Sequence, residues 1–197
     1  MLSPEETIKI AKKYGLKMPR QKITGDLKEA KKFAEKIGYP VVLKISSSSH
    51  KTESGGVFTE VRKDNFSIVF RKLKKKSDLI MVQKQIKGIE TMIGGIKDSQ
   101  FGHCVSFGAG GVLVEAMGDI NFRVCPVGKK DAMDMVKESV SYKVLKGYRG
   151  RRYDIKSIVN AIKGVSDIVS KEGLNELDIN PLICNEKGAW AVDVRMG

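Results

Sequence analysis

Histidine and cysteine are scarce in this 197-residue chain, which has two of the first, three of the second and a single tryptophan. Cys104, Cys125 and Cys184 lie far apart in apolar runs, and no Cys-x-x-Cys pair occurs. Neither a zinc site nor a disulfide framework is expected, and the usage fits a reducing, cytoplasmic setting. No apolar run approaches the roughly 20 residues that span a bilayer. The N-terminus, MLSPEETIKIAKK, lacks the unbroken apolar core of a signal peptide, so no membrane role is expected. Acidic residues are also in the minority, 23 against 36 Lys+Arg, which leaves a formal net charge of +13. Such a charge suits nucleic acid, anionic lipid, phosphorylated small molecules or an acidic partner. The lysines are dispersed, however, over helical patterns such as AKKYGLK and EAKKFAEKIG. The one dense run, RKLKKKSD (71–78), ends a helix, where cations complement the dipole, and it lacks interleaved aromatics for base stacking. A solvated or partner-facing surface is the reading, with no nucleic-acid groove.

What is present, 41% hydrophobic and 30% charged residues, is the balance of a globular protein. The first helix has a strong start signal: Ser3 as N-cap, Pro4 at the first position, Glu6 closing a capping box, and Gly15 as the stop. A second helix repeats the grammar with Asp26, Glu29 and Gly38. There follow the apolar strand Val41–Ile45, a Ser-rich loop ending in His50 and Lys51, a Gly55-Gly56 turn, and a strand over 57–61. A helix (64–76) leads to the strand LIMVQKQI (79–86). Beyond it lie strands over 89–98, 103–115 and 120–127, a helix near 129–140 and a long helix near 154–171. Strands and helices mix without the alternation of a doubly wound sheet. The reading is α+β in two lobes, about 1–82 and 83–197, with a hinge around 82–88.

The last stretch, LNELDINPLICNEKGAWAVDVRMG (174–197), carries the clearest chemistry. It reads as two strands joined by a turn at Asn185–Gly188. Alternate side chains of a strand share a face, so Glu176, Asp178 and Asn180 point one way, and Asp193 on the returning strand can be brought opposite them. Pro181 removes a ladder donor and is expected to fix the strand's exit beside these ligands. One or two carboxylates with an amide oxygen suit magnesium, which fills its remaining positions with water and nucleotide phosphates.

Other candidates lie upstream. Lys44 stands alone in an apolar strand, which is costly unless it meets an anion; an edge-strand lysine that snorkels is the alternative. The turn Glu53-Ser54-Gly55-Gly56 allows backbone amides to approach a phosphate. His50, in a polar loop between them, can bind phosphate, relay a proton or accept a phosphoryl group. Glu90 opens a strand past the hinge, where a carboxylate can accept from a ribose. Arg123 lies in the apolar run FRVCP; an arginine so placed pairs with a carboxylate, for which Glu115 is a candidate, or with a phosphate.

The stretches YGLKMP, IGYPVVLKI, HKTESGGV, KGIETMIGGIKDSQFG, FGAGGVLVE, FRVCPV, LKGYRG, ELDINPL and AVDVR run in order over nearly the whole chain. By these the chain resembles the ATP-grasp family, more narrowly the β subunits of NDP-forming acyl-CoA synthetases of the acetate–CoA ligase (ADP-forming) type. Succinyl-CoA synthetase β subunits look like more distant relatives.

That resemblance implies a two-lobed ATP-grasp fold and a site assembled from both lobes. Lys44 would contact nucleotide phosphates, Gly55 and Gly56 would form the phosphate loop, Gln83 would lie at the adenine hinge and Glu90 at the ribose; Arg123, on its phosphate reading above, is counted with these cofactor-binding candidates. Asn180 and Asp193 would hold Mg2+, with Asp178 adjacent. His50 would take a phosphoryl group from a phosphohistidine of a CoA-binding α subunit and pass it to ADP, giving ATP, within a heterotetramer. Two departures stand out: the loop at Ser46–Ser49 is shorter than the family's form and lacks its Pro and Asp, and Glu53 replaces an Asp. No G-x-G-x-x-G fingerprint opens a βαβ unit here, so the CoA site is expected on another chain. A regulatory ATP-grasp module that senses nucleotide for a partner is the alternative; it would keep Lys44 and the metal pair without needing His50.

Overall fold

The structure is a computed structural model that describes residues 1–46, 55–110, 118–147, 150 and 152–197. The chain forms two compact units, Pro19–Ile86 and Met1–Met18 together with Lys87–Gly197. The second crossing, between Ile86 and Lys87, falls in the expected hinge window. The first, between Met18 and Pro19, corrects the expected division, because the N-terminal helix belongs with the C-terminal part of the chain. The reason is packing: Ala11 and Leu16 are buried in the C-terminal core, and the Leu2 amide donates to Met196 O at 2.8 Å.

Unit Pro19–Ile86 is a four-stranded antiparallel sheet with two helices. Its strands are β1 (Gln21–Thr24), β2 (Val41–Ile45), β3 (Val57–Val61) and β4 (Ile80–Lys84), in the order β1-β4-β2-β3. The helix Leu27–Ile37 (α2) is capped as its sequence signals, the Glu29 amide donating to the Asp26 carboxylate at 2.7 Å. With Phe66–Lys74 (α3), it covers the face that carries Val41, Leu43, Ile45, Ile80 and Val82. Strand β1 is too short and too polar (QKIT) for its periodicity to register.

The other unit begins with α1 (Pro4–Lys13), whose Ser3–Glu6 capping box forms as read. Its sheet comprises β5 (Ile89–Asp98), β6 (Gly102–Ala109), β7 (Ile120–Val124), β8 (Glu176–Asn185), β9 (Gly188–Ala191) and β10 (Val194–Met196). The order is β10-β8-β5-β6-β7, with β9 also on β8. The terminal hairpin is thus three strands rather than two, with β8 continuing to Asn185. The helices are α4 (Lys129–Glu138), α5 (Tyr142–Leu145) and α6 (Ile155–Lys171). Helix α6 starts at an Asp154 cap that accepts from the Ser157 amide at 3.1 Å. Its buried stripe includes Ile158, Ile162, Val165 and Val169, at 3.6-residue spacing. The stripe packs in one core with Ile93, Val105, Phe107, Leu177 and Ile179, which leaves the alternate residues of these strands on the opposite, open face.

Candidate functional site

The open face of the six-stranded sheet gathers the acidic candidates. In β8, the pairing with β5 shifts register between Thr91 and Ile93, and Asn180–Pro181 form the bulge. Pro181 therefore sits inside the strand, not at its exit, because a bulge tolerates a residue without an amide proton. The bulge re-phases the strand so that Ile179 and Leu182 both face the core while Asn180 stays on the open face. The Asn180 amide donates to Asp193 O at 3.2 Å, and the pairs Val194–Ile179 and Arg195–Asp178 continue the ladder. Asp178, Asn180, Asp193 and Arg195 consequently share one face. Gly94, opposite Asp178, lies between this group and Ser106.

Electrostatics of this cluster fit a cation. Burial raises the Asp178 pKa above the ordinary carboxylate value; Arg195 pulls it back, and the charges of Asp193 and Glu176 push it further up. Arg195, 3.8 Å from Asp193, offsets only part of this crowding. A divalent ion at Asn180 and Asp193 would relieve it. Among the described residues, no group of three or more His, Cys, Asp or Glu could hold a metal alone.

Glu90 is exposed on β5 and shares the open face with Gly94. Its carbonyl accepts from the Gly110 amide at 2.9 Å, and the neighbouring Ala109 amide donates to the Asp119 carboxylate at 3.0 Å. Gly110 is thereby pinned beside Glu90. A side chain at Gly110 would lie 2.7 Å from the Glu90 carbonyl carbon, so this approach requires glycine. Arg123 is a correction. It lies on the helix side of β7, where it ion-pairs with Glu138 of α4 and donates to Phe122 O at 2.8 Å. The register places it on the face opposite Asn180 and Asp193, so it serves as a strand-to-helix tie. Glu115 lies outside the described residues.

In unit Pro19–Ile86, Lys44 is buried on the central strand β2, so the edge-strand alternative does not apply. It pairs across to Val57 on one side and Met81 on the other, away from the face that α2 and α3 cover. The Gly56 carbonyl accepts from the Ile45 amide at 3.0 Å, which sets the glycine pair beside Lys44. Gly55 has φ +60° and receives Lys76 Nζ on its carbonyl at 3.4 Å. Gln83 is fully buried on the same face as Lys44, three residues before the unit ends at Ile86. Its Nε2 donates to Gln21 Oε1 at 2.5 Å, and Gln21 Nε2 is buried without a hydrogen-bond partner among the described residues. The structure thus brings Lys44, Gly55–Gly56 and Gln83 to one sheet. His50 and Glu53 lie outside the described residues. Sequence reasoning passed over Gln21 and Arg195. The first lies in the weakly patterned β1, whereas the second could have been found at two residues from Asp193.

A model of the ATP-grasp domain matches residues 1–197, the whole chain. The chain belongs to the ATP-grasp family. This ATP-grasp chain is 38% identical to the β subunit of acetate–CoA ligase [ADP-forming] I of Pyrococcus furiosus, over 97% of the chain and 89% of that subunit. It falls with the β subunits of ADP-forming acyl-CoA synthetases. Acetate–CoA ligase [ADP-forming] II of Archaeoglobus fulgidus is 35% identical over the full chain, which spans only 30% of that longer protein. In structure, it resembles acetyl-coenzyme A synthetase 1 of Ca. Korarchaeum cryptofilum, solved with coenzyme A and Mg-AMPPCP and with its phosphohistidine segment pointing towards the nucleotide site. The TM-score is 0.84 at 36% identity, covering 100% of this chain and 91% of that one. The α+β, two-lobed ATP-grasp fold is therefore established. Among the described residues, no helix is long and apolar enough to cross a membrane.

Proposed function

We propose that this chain is the nucleotide-binding subunit of a cytoplasmic, ADP-forming acyl-CoA synthetase, a ligase. It would move a phosphoryl group between a phosphohistidine of a CoA-binding α subunit and ADP, within a heterotetramer. The observation that carries the reading is the Asn180–Asp193 pair, set opposite each other on the open sheet face in a chain that spans nearly a whole β subunit. When bound at that pair, Mg2+ would neutralise phosphate charge. Lys44 and the Gly55–Gly56 amides would bind phosphate oxygens, Gln83 would meet the base, and Glu90 the ribose; positioning and charge neutralisation suffice for this chemistry. His50 is the proposed carrier. A neutral imidazole nitrogen attacks phosphorus as the P–N bond to the partner's histidine breaks, and the phosphoryl group then passes to the β-phosphate oxygen of ADP.

The test is reconstitution with the CoA-binding subunit, assaying ATP formation from acyl-CoA, ADP and phosphate. His50→Ala should retain ADP binding and lose ATP synthesis. Turnover near the wild-type rate would remove His50 from the relay, and no ATP from the wild-type complex would overturn the function.

A further inference from the structure

Strand β7 is inside out. It is the edge of the six-stranded sheet, paired among the described residues with β6 alone. Edge strands ordinarily turn apolar side chains to the core and polar ones to water, because an exposed apolar edge invites association. Here the polar residues point inward, with Asn121 Nδ2 donating to Met135 O at 3.0 Å and Arg123 tied to Glu138. The outward positions are all apolar: Ile120 is 37%, Phe122 54% and Val124 54% exposed. The patch extends across the sheet to Ile96, 42% exposed in the row Val124–Cys104–Ile96, and to Phe101 at the β5–β6 turn, 65% exposed. A contiguous apolar patch of this kind marks an interaction surface.

We propose that this stripe is the docking surface for the phosphohistidine-bearing, CoA-binding subunit. The inference rests on the function proposed above and goes beyond it in assigning a surface. Two observations select this occupant. The stripe is continuous with the acidic site: Phe122, Ser106, Gly94 and Asp178 form one row across four neighbouring strands. Three strand spacings put Phe122 roughly 14 Å from Asp178 on the same face. A partner seated on β7 therefore stands within reach of the nucleotide's phosphates. Charge disfavours a second copy, since each chain carries +13 and identical surfaces repel. Aromatic and aliphatic anchors at the centre of such an interface carry a large share of its affinity.

The experiment uses the full chain and the CoA-binding subunit, titrated by calorimetry, with Phe122→Asp and Val124→Asp as separate variants. Each should bind the subunit at least ten-fold more weakly while binding Mg-ADP as the wild type does. In the wild-type complex, hydrogen exchange at the 120–124 amides should slow relative to the free chain. Affinity within two-fold of wild type in both variants, or unchanged exchange in β7, would overturn the proposal. So would a wild-type homodimer in the ultracentrifuge that Phe122→Asp dissociates, since a second copy would then cover the stripe. A complex that forms through β7 yet makes no ATP would sink the proposed function and leave the docking surface standing.

Discussion

Two adjacent glycines in β5 offer a sharp test of which sheet face is structural and which is functional. Gly94 points to the open face and Gly95 to α6. A methyl group built at Gly95 would lie 2.5 Å from Val169 Cγ1 and 3.3 Å from Val165 Cγ1, with Leu177 Cβ at 3.5 Å. Ordinary carbon contacts are about 3.5–4.0 Å. Both valines are fully buried, so the helix or the strand must shift. Overpacking of this size costs about 1–3 kcal/mol. For a chain of this length that is roughly 2–12 °C in Tm, at about 2–4 °C per kcal/mol. At Gly94 the nearest atom, also at 2.5 Å, is Ser106 Oγ, the end of a side chain that can rotate. Gly94→Ala also relieves the chain-entropy cost of glycine in a strand, worth about 0.5–1 kcal/mol. Thermal melts followed by circular dichroism should therefore show Gly95→Ala clearly destabilised and Gly94→Ala near wild type. Calorimetry should reverse the ranking for function: Gly94→Ala, whose methyl stands beside Asp178, weakens Mg-ADP binding, whereas folded Gly95→Ala binds normally. Equal melting temperatures, or a lower one for Gly94→Ala, would refute the assignment of faces.

Asp193→Ala should abolish the magnesium dependence of nucleotide binding, read by calorimetry with and without the ion. It should leave the fold intact, because a partly exposed ligand removes little packing. Asp178 has its folded pKa raised by burial, so between the ordinary carboxylate value and that raised pKa the folded state holds more proton than the unfolded one. Stability from this residue is thus fully present at low pH and falls as pH rises through the window; Asp178→Asn should remove that slope from a series of melts. Gly188 has φ +144° beneath Lys17, whose ammonium donates to Lys187 O at 2.9 Å and lies 4.2 Å from the Trp190 ring centre. Gly188→Ala should cost about 1–3 kcal/mol from backbone strain, read by chemical denaturation. Duplex DNA should bind poorly at physiological salt, since dispersed lysines make few simultaneous phosphate contacts; sub-micromolar affinity would contradict this.

Local grammar made much of this fold legible. The caps at Ser3 and Asp26 and the apolar runs of β2 and β4 each had a periodicity or a start signal that packing reinforced rather than opposed. Elements whose identity depends on partners distant in sequence were not legible. Strand β1 exists because Gln21–Thr24 pair with β4, 56 or more residues away in register, and nothing in QKIT announces that. Helix α1 was readable as a helix, yet its place in the C-terminal unit comes from Ala11 and Leu16 entering a core built some 80 residues later. The same limit governs the site. Asn180 and Asp193 could be brought opposite each other by alternation alone, because a hairpin is local. Arg123 could not be assigned, because an arginine in an apolar strand reads alike whether its partner is a phosphate or Glu138.

The inverted pattern of β7 shows why that distinction matters. Alternation alone puts Ile120, Phe122 and Val124 in a core and Asn121 and Arg123 in water, the opposite of what is observed. The polar pair is held inward because α4 supplies both an acceptor at Met135 O and a carboxylate at Glu138. Satisfied hydrogen bonds offset the cost of turning these groups from water. The apolar trio gains nothing from this arrangement in the isolated chain. At about 25 cal/mol per Å2, leaving such side chains exposed forgoes burial that a different register would recover. A sequence that keeps that exposure, on the same face as the acidic site and with Phe122 in one row with Asp178, fits a surface whose burial comes from another polypeptide.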